Sequence, residues 1–257
     1  MRCLMKLIII NQKGGVGKST VSVNLAYGLA QKDKKTLLID LDPQAHSTVI
    51  YTCEVLRENT VTDLFLDKNS DIKTTIKPAL LNGDTINNLF IIPSNIHLAK
   101  IPEQIASRTH REKILHNHFK KIENEFDFVL VDCPPTLGVL SANAVFTADL
   151  ILIPTTYGKY SLDGIADLFE LIKDVKENHE YAYKIIRNMF DSRNKQSNQF
   201  TEEQLLPYKD NVLNTILRKN EAINQSQMNS EPIFTFDPKS HGSEDFYNLT
   251  GEIINYA

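Results

Sequence analysis

The chain lacks several features that would assign it quickly. No apolar run approaches the ~18 residues that a membrane-spanning helix needs. Its three cysteines, Cys3, Cys53 and Cys133, are scattered. They can form neither a disulfide framework nor a CxxC zinc site, so the expectation is a reduced, cytoplasmic protein. The first ten residues carry Arg2 and Lys6 but run straight into a motif, which reads as a strand rather than a signal peptide. There is no excess of positive charge: the net charge is -4 over 257 residues, so any nucleic-acid binding must come from a local patch. Repeats, low-complexity stretches and linkers are also missing, which argues for one domain. The composition, 42% hydrophobic and 23% charged, is that of an ordinary folded protein.

What is present is an alternation. Residues 6–11, 36–40, 89–92, 128–132, 150–153 and 183–186 read as short, mostly β-branched strands. Helical patterns lie near residues 18–31, 95–107, 111–123, 138–147 and 162–175, with a short helix at 61–66 and a polar, turn-rich surface excursion at 67–88. Alternation of this kind implies βαβ units: an α/β fold with a mostly parallel twisted sheet flanked by helices on both faces.

The first strand runs into Gln12-Lys13-Gly14-Gly15-Val16-Gly17-Lys18-Ser19-Thr20, and a helix follows at once. Strand, glycine-rich loop and helix make a phosphate cradle. Glycines let backbone N–H groups curl around phosphate oxygens, and the helix N-terminus adds roughly half a positive charge. Lys18 supplies a cation to the outer phosphates and Ser19 a hydroxyl to a magnesium ion. The loop departs from GxxxxGK[ST], because Gln12 stands where the first glycine belongs and a second lysine, Lys13, follows it. The plainer reading is an ordinary glycine-rich turn.

Two acidic motifs follow. Strand 36–40 ends in Asp40-Leu41-Asp42-Pro43-Gln44, and strand 128–132 ends in Asp132-Cys133-Pro134-Pro135. In a parallel sheet the binding crevice lies beyond the carboxyl ends of the strands, so these carboxylates face the loop. Asp40 and Asp42 can orient water around magnesium and the γ-phosphate; alone, they could simply cap the next helix. Asp132 after four apolar residues is a Walker B arrangement for magnesium. Cys133 reads as a small packing residue.

KGGVGKS, DLDPQ and FDFVLVDCPP together resemble the ParA/Soj/MinD family of deviant Walker A ATPases, closest to the small ParA/Soj partition proteins. FIIPSNIHLA at 90–99, NMFDSR at 188–193 and FDPKSHG at 236–242 extend the resemblance over essentially the whole chain. It implies a single P-loop NTPase domain with no separate N-terminal DNA-reading domain. It also implies ATP and Mg2+ as cofactors, an ATP-bound sandwich homodimer, non-specific DNA binding, and a ParB-like centromere-binding protein that stimulates hydrolysis. The family's residues carry over as follows. Loop residues 13–20 hold the nucleotide, with Lys13 reaching the partner's nucleotide in trans. Asp42 positions the attacking water, and Asp40 supports magnesium and switch geometry. Ser19, Asp40 and Asp132 surround the metal, and Asn188 sits where relatives contact adenine.

The DNA contacts carry over less completely. Arg193, Lys195, Arg218 and Lys219 are the candidates. In relatives, however, a proline stands at 218 and an arginine at 222, where this chain has Arg218 and Ala222, and His241 replaces an arginine. Residues 181–200 sum to +3 through Lys184, Arg187, Arg193 and Lys195 against Asp191. Residues 108–121 sum to +4 and read as a solvated helix face, with His110, His116 and His118 as structural or surface histidines. A MinD-like membrane regulator would need a basic amphipathic C-terminal helix, whereas residues 249–257 hold no Lys or Arg and one Glu. An iron-protein-type reductase would need a second suitable cysteine. A positioning ATPase for a non-DNA cargo remains as the alternative.

Overall fold

The structure is a computed structural model. It describes residues 4–54, 56–159, 162, 164–177 and 181–256. Cys3, Ala257 and position 163 of the 162–175 helical pattern lie outside the described residues.

Eight strands form one sheet: β1 (Met5–Ile9), β2 (Thr36–Asp40), β3 (Lys77–Leu81), β4 (Asp84–Ile92), β5 (Phe128–Asp132), β6 (Leu150–Thr156), β7 (Ala182–Phe190) and β8 (Val212–Arg218). Their order is β3-β4-β2-β5-β1-β6-β7-β8, and only the β3–β4 pair is antiparallel. The helices are α1 (Lys18–Gln31), α2 (His46–Tyr51), α3 (Val61–Leu66), α4 (Ile72–Thr75), α5 (Ile101–Gln104), α6 (Ile114–Phe119), α7 (Val139–Thr147), α8 (Ile165–Lys176), α9 (Lys195–Leu205), α10 (Glu221–Met228), α11 (Ile233–Phe236) and α12 (His241–Tyr256).

Alternate residues of the central strands enter two separate cores. Ile8, Leu37, Ile39, Val129, Val131 and Ile151 pack on the side of α3, α6, α7 and α8. Leu7, Ile9, Leu38, Leu130 and Leu152 pack on the side of α1 and α12. Burial on both faces is why these strands read as unbroken apolar runs. On the second face α1 and α12 meet at Gly28, where a Cβ would collide with the Thr250 hydroxyl. Glycine there sets how closely the two helices approach.

Three expectations change. The 67–88 stretch is not an excursion: it contains α4, β3 and the start of β4, which add an antiparallel edge to the sheet. The 95–107 pattern divides into a 3-10 turn (Ile96–Lys100) and the four-residue α5. Pro102 has no N–H to continue a ladder from the preceding turn, so a single long helix is not available. The 111–123 pattern is broken by a residue from another helix. Asn143 of α7 accepts from the Leu115 N–H (3.1 Å) and donates to the Arg111 carbonyl (2.7 Å). Those are the two groups that would have bonded each other across one α-helical turn.

The basic segment also serves the fold more than a solvated face would. Arg108 donates to the carbonyls of Phe65 and Leu66 at the end of α3, both at 2.6 Å. His118 is buried with Nε2 on the Leu64 carbonyl, and His116 lies edge-on to Phe146. His110 is exposed. Cys133 is buried in the first core, as a packing residue would be.

Candidate functional site

The connection leaving β1 runs through α1 toward β2, while the one leaving β5 runs through α7 past β1 to β6. The two diverge over the carboxyl end of β1, and a crevice opens at such a switch point. Residues 10–17 lie there, before α1. Gly15 and Gly17 take left-handed backbone, with φ of +73 and +88°, which favours glycine strongly. The cleft beside them measures about 470 Å3 and is lined by Gly14, Gly15, Gly17, Lys18, Ser19, Thr20 and Asp42, among others.

Lys18 is 7% exposed, and its Nζ donates to the Lys13 carbonyl at 3.3 Å. Burial pulls its ammonium below the ordinary lysine value, and Asp132 and Asp42 act in the opposite direction. Lys13 is half-buried, with its N–H on the Asn11 side chain.

Asp40 and Asp132 end adjacent strands and are register partners. Neither carboxylate reaches solvent. Asp132 accepts from the hydroxyls of Ser22 (3.0 Å) and Ser47 (2.7 Å). Asp40 accepts from the Thr48 N–H (2.8 Å), the Thr48 hydroxyl (2.7 Å) and the Asp42 N–H (3.1 Å). Burial, and then the charge of Asp132, push the Asp40 carboxyl up to about 8; burial also raises Asp132. Asp42 is less enclosed, at 8% exposed, and reaches the cleft. Asp132 and Asp42 thus act on the buried ammonium of Lys18, and Asp40 lies beside Asp132 on the neighbouring strand.

Ser22, Ser47 and Thr48 escaped the sequence reading. The last two lie in a six-residue helix, too short to show periodicity, and hydroxyls after a DPQ turn read as ordinary loop. Asn188 is placed by β7 beside the loop rather than in the cleft lining, with Nδ2 on the Val16 carbonyl at 2.7 Å.

The four proposed DNA residues cluster at the carboxyl ends of β7 and β8, where Phe190 and Arg218 are in register. Arg193, Lys195 and Lys219 are exposed. Arg193 holds Asp191 through two hydrogen bonds (2.8 and 2.6 Å), which keeps the Asp191 carboxyl well below its ordinary range. Arg218 is engaged within the fold, bonding Asp245 at 2.5 Å and Glu244 at 2.6 Å at the start of α12. Lys184 and Arg187 are also held: Lys184 donates to the Asp210 carbonyl, and Arg187 to the carbonyls of Leu213 and Asn214.

A mostly parallel sheet with a glycine loop, a buried lysine and strand-end carboxylates defines a P-loop nucleotide-binding fold. Residues 5–185 match the family model described as an AAA domain. The sporulation initiation inhibitor protein Soj of Bacillus subtilis is 32% identical over 253 residues, covering 96% of this chain and 97% of its own. The chromosome-partitioning ATPase Soj of Treponema pallidum is 32% identical, covering 96% of each chain. Among solved structures, a plasmid partition protein of Borrelia burgdorferi bound to AMPPNP superposes with a TM-score of 0.81 at 26% identity, covering 98% of this chain and 99% of its own. The chain belongs to the AAA-domain family and, within it, to the ParA/Soj partition ATPases.

Proposed function

We propose that this chain is a DNA-partition ATPase that hydrolyses ATP with Mg2+ and uses the nucleotide to switch a dimer on and off DNA. The observation that carries this reading is one cleft lined by the glycine loop, buried Lys18, Ser19 and Asp42, with Asp40 and Asp132 buried at the ends of two neighbouring strands. The residues fit both groups. The glycines expose amides to an anion, and the Ser19, Asp40 and Asp132 oxygens suit magnesium. Bound magnesium neutralises charge on the phosphates. Lys18 holds the outer phosphates, and the loop amides of residues 14–20 orient them. Asp42, alone of the three carboxylates in reaching the cleft, orients the attacking water. Lys13 delivers its cation to the partner's nucleotide when two subunits close, so hydrolysis waits on dimerisation.

Arg193, Lys195 and Lys219, with Arg218 behind them, form a patch that binds DNA phosphates without reading sequence, and two copies on one face of the dimer strengthen it. The chain works as one ATPase domain in the cytoplasm, associated with the nucleoid, with a ParB-like centromere-binding protein as the expected partner. The test is ATP hydrolysis measured with and without non-specific DNA and the product of the adjacent gene. Stimulation by both together is expected, and none in Lys18→Ala. Equal rates in wild type and Lys18→Ala would end the reading.

A further inference from the structure

Asn188 stands opposite Thr156 near the end of β7 and is 6% exposed. Its Oδ1 accepts from the Met189 N–H at 2.9 Å, and its Nδ2 donates to the Val16 carbonyl at 2.7 Å. With an N–H on one side and a carbonyl on the other, only one orientation of the amide satisfies both. The Val16 carbonyl precedes the start of α1, whose first turn closes on the Gly17 carbonyl instead. The helix therefore offers Val16 no donor, and Asn188 supplies one. A Cβ on Gly17 would collide with the Asn188 Nδ2, so glycine at 17 admits the amide as well as the left-handed turn.

A trans peptide unit points its C=O and its N–H in opposite directions. Turning the Val16 carbonyl toward Asn188 turns the Gly17 N–H away from it, and Gly17 lines the cleft. We propose that Asn188 is a positioning residue that aims the Gly17 N–H at bound phosphate, and so acts on the polyphosphate through the loop. This rests on the cleft being the ATP site.

The experiment measures binding of magnesium-ATP and of magnesium tripolyphosphate, which has neither base nor ribose, to wild type, Asn188→Ala and Asn188→Asp. Asn188→Ala is expected to weaken both ligands by the same factor, about tenfold, because the Val16 carbonyl loses its donor and the loop amide its aim. Asn188→Asp is expected to lose more at about pH 8.5 and to recover at about pH 5.5 relative to wild type, because a protonated carboxyl regains an O–H donor. A role confined to folding would shift the melting temperature of Asn188→Asp between the two pH values without the affinity of the folded protein following it. Loss of ATP binding with tripolyphosphate unchanged in Asn188→Ala would place the side chain on the base and overturn the proposal, as would two unchanged affinities. If Asn188→Asp does not fold, the comparison of the two ligands in Asn188→Ala decides. A wild type that binds neither ligand overturns the ATP-site reading itself, which is a separate failure.

Discussion

At the scale of single residues, the three carboxylates separate by burial. Asp42 reaches the cleft, whereas Asp40 and Asp132 are sealed behind it. Asp42→Ala should therefore keep ATP but not hydrolyse it. Size-exclusion chromatography with ATP is expected to show a persistent dimer with little phosphate release, and a wild-type rate would transfer the water-positioning role to Asp40. Asp40 carries a pH signature of its own. Its folded value of about 8 lies above the ordinary 3.8, so the folded state holds a proton that the unfolded state has released. This group's contribution is fully present below about pH 4 and is lost as pH rises toward 8. The melting temperature of the nucleotide-free, magnesium-free protein should fall between pH 5 and 8, and Asp40→Asn should flatten that slope. A slope unchanged in Asp40→Asn would assign the proton elsewhere.

At the scale of elements, the Arg218–Asp245 clasp ties the end of β8 to the N-terminal part of α12. Removing Arg218 leaves Asp245, 4% exposed, without its cation. A fully buried pair would cost ~3–5 kcal/mol to break. The Arg218 side chain is 37% exposed, so solvent screening reduces this to about 1–2 kcal/mol, or a few degrees of melting temperature. Arg218→Ala should show that drop in calorimetry and Lys219→Ala should not; equal melting points would mean the clasp carries no stability. Weaker DNA binding in Arg218→Ala is then read against its lost stability.

The same clasp shows where the sequence was legible. β2 and β5 could be placed to the residue, because continuous apolar runs end in aspartate and both faces are buried. The helix after the glycine loop was equally clear. The break in 111–123 depends on Asn143, which is distant in sequence, and β3 is a five-residue edge strand that opens on Lys77 and Pro78. β8 and α9–α11 alternate polar and apolar residues too irregularly to declare themselves, whereas α12 carries Phe246, Leu249 and Ile253 at helical spacing, a signal the sequence reading did not take up. At the site, the loop and the acids were readable from their spacing. The Asn188–Val16 bond and the Ser47 and Thr48 hydroxyls come only from packing.

For the whole molecule, DNA binding should depend on ATP and salt and not on sequence. A chain of net charge -4 presents only a local basic patch, part of it already balanced by Asp191. If the dimer contacts about six phosphates, raising salt from 50 to 200 mM costs roughly 10³-fold in affinity. Arg193→Glu should abolish binding and leave ATP-driven dimerisation intact. Mobility assays on two unrelated duplexes, with ATP, ADP and no nucleotide, check this; equal binding in all three states would remove the switch. No helix among the described residues is long and apolar enough to cross a membrane.

The sheet order sets a schedule for the growing polypeptide. Of the eight strands of the sheet β1 is made first, yet its neighbours on both sides are β5 and β6, and Met5 pairs with Phe128. At 5–20 residues per second, a ribosome takes roughly 6–25 s to travel from one to the other. For most of that interval the glycine loop has been synthesised, but neither flanking strand of β1 nor Asp132 exists. A nascent chain that stalls before residue 128 therefore carries the loop motif without a scaffold that can present it to a nucleotide.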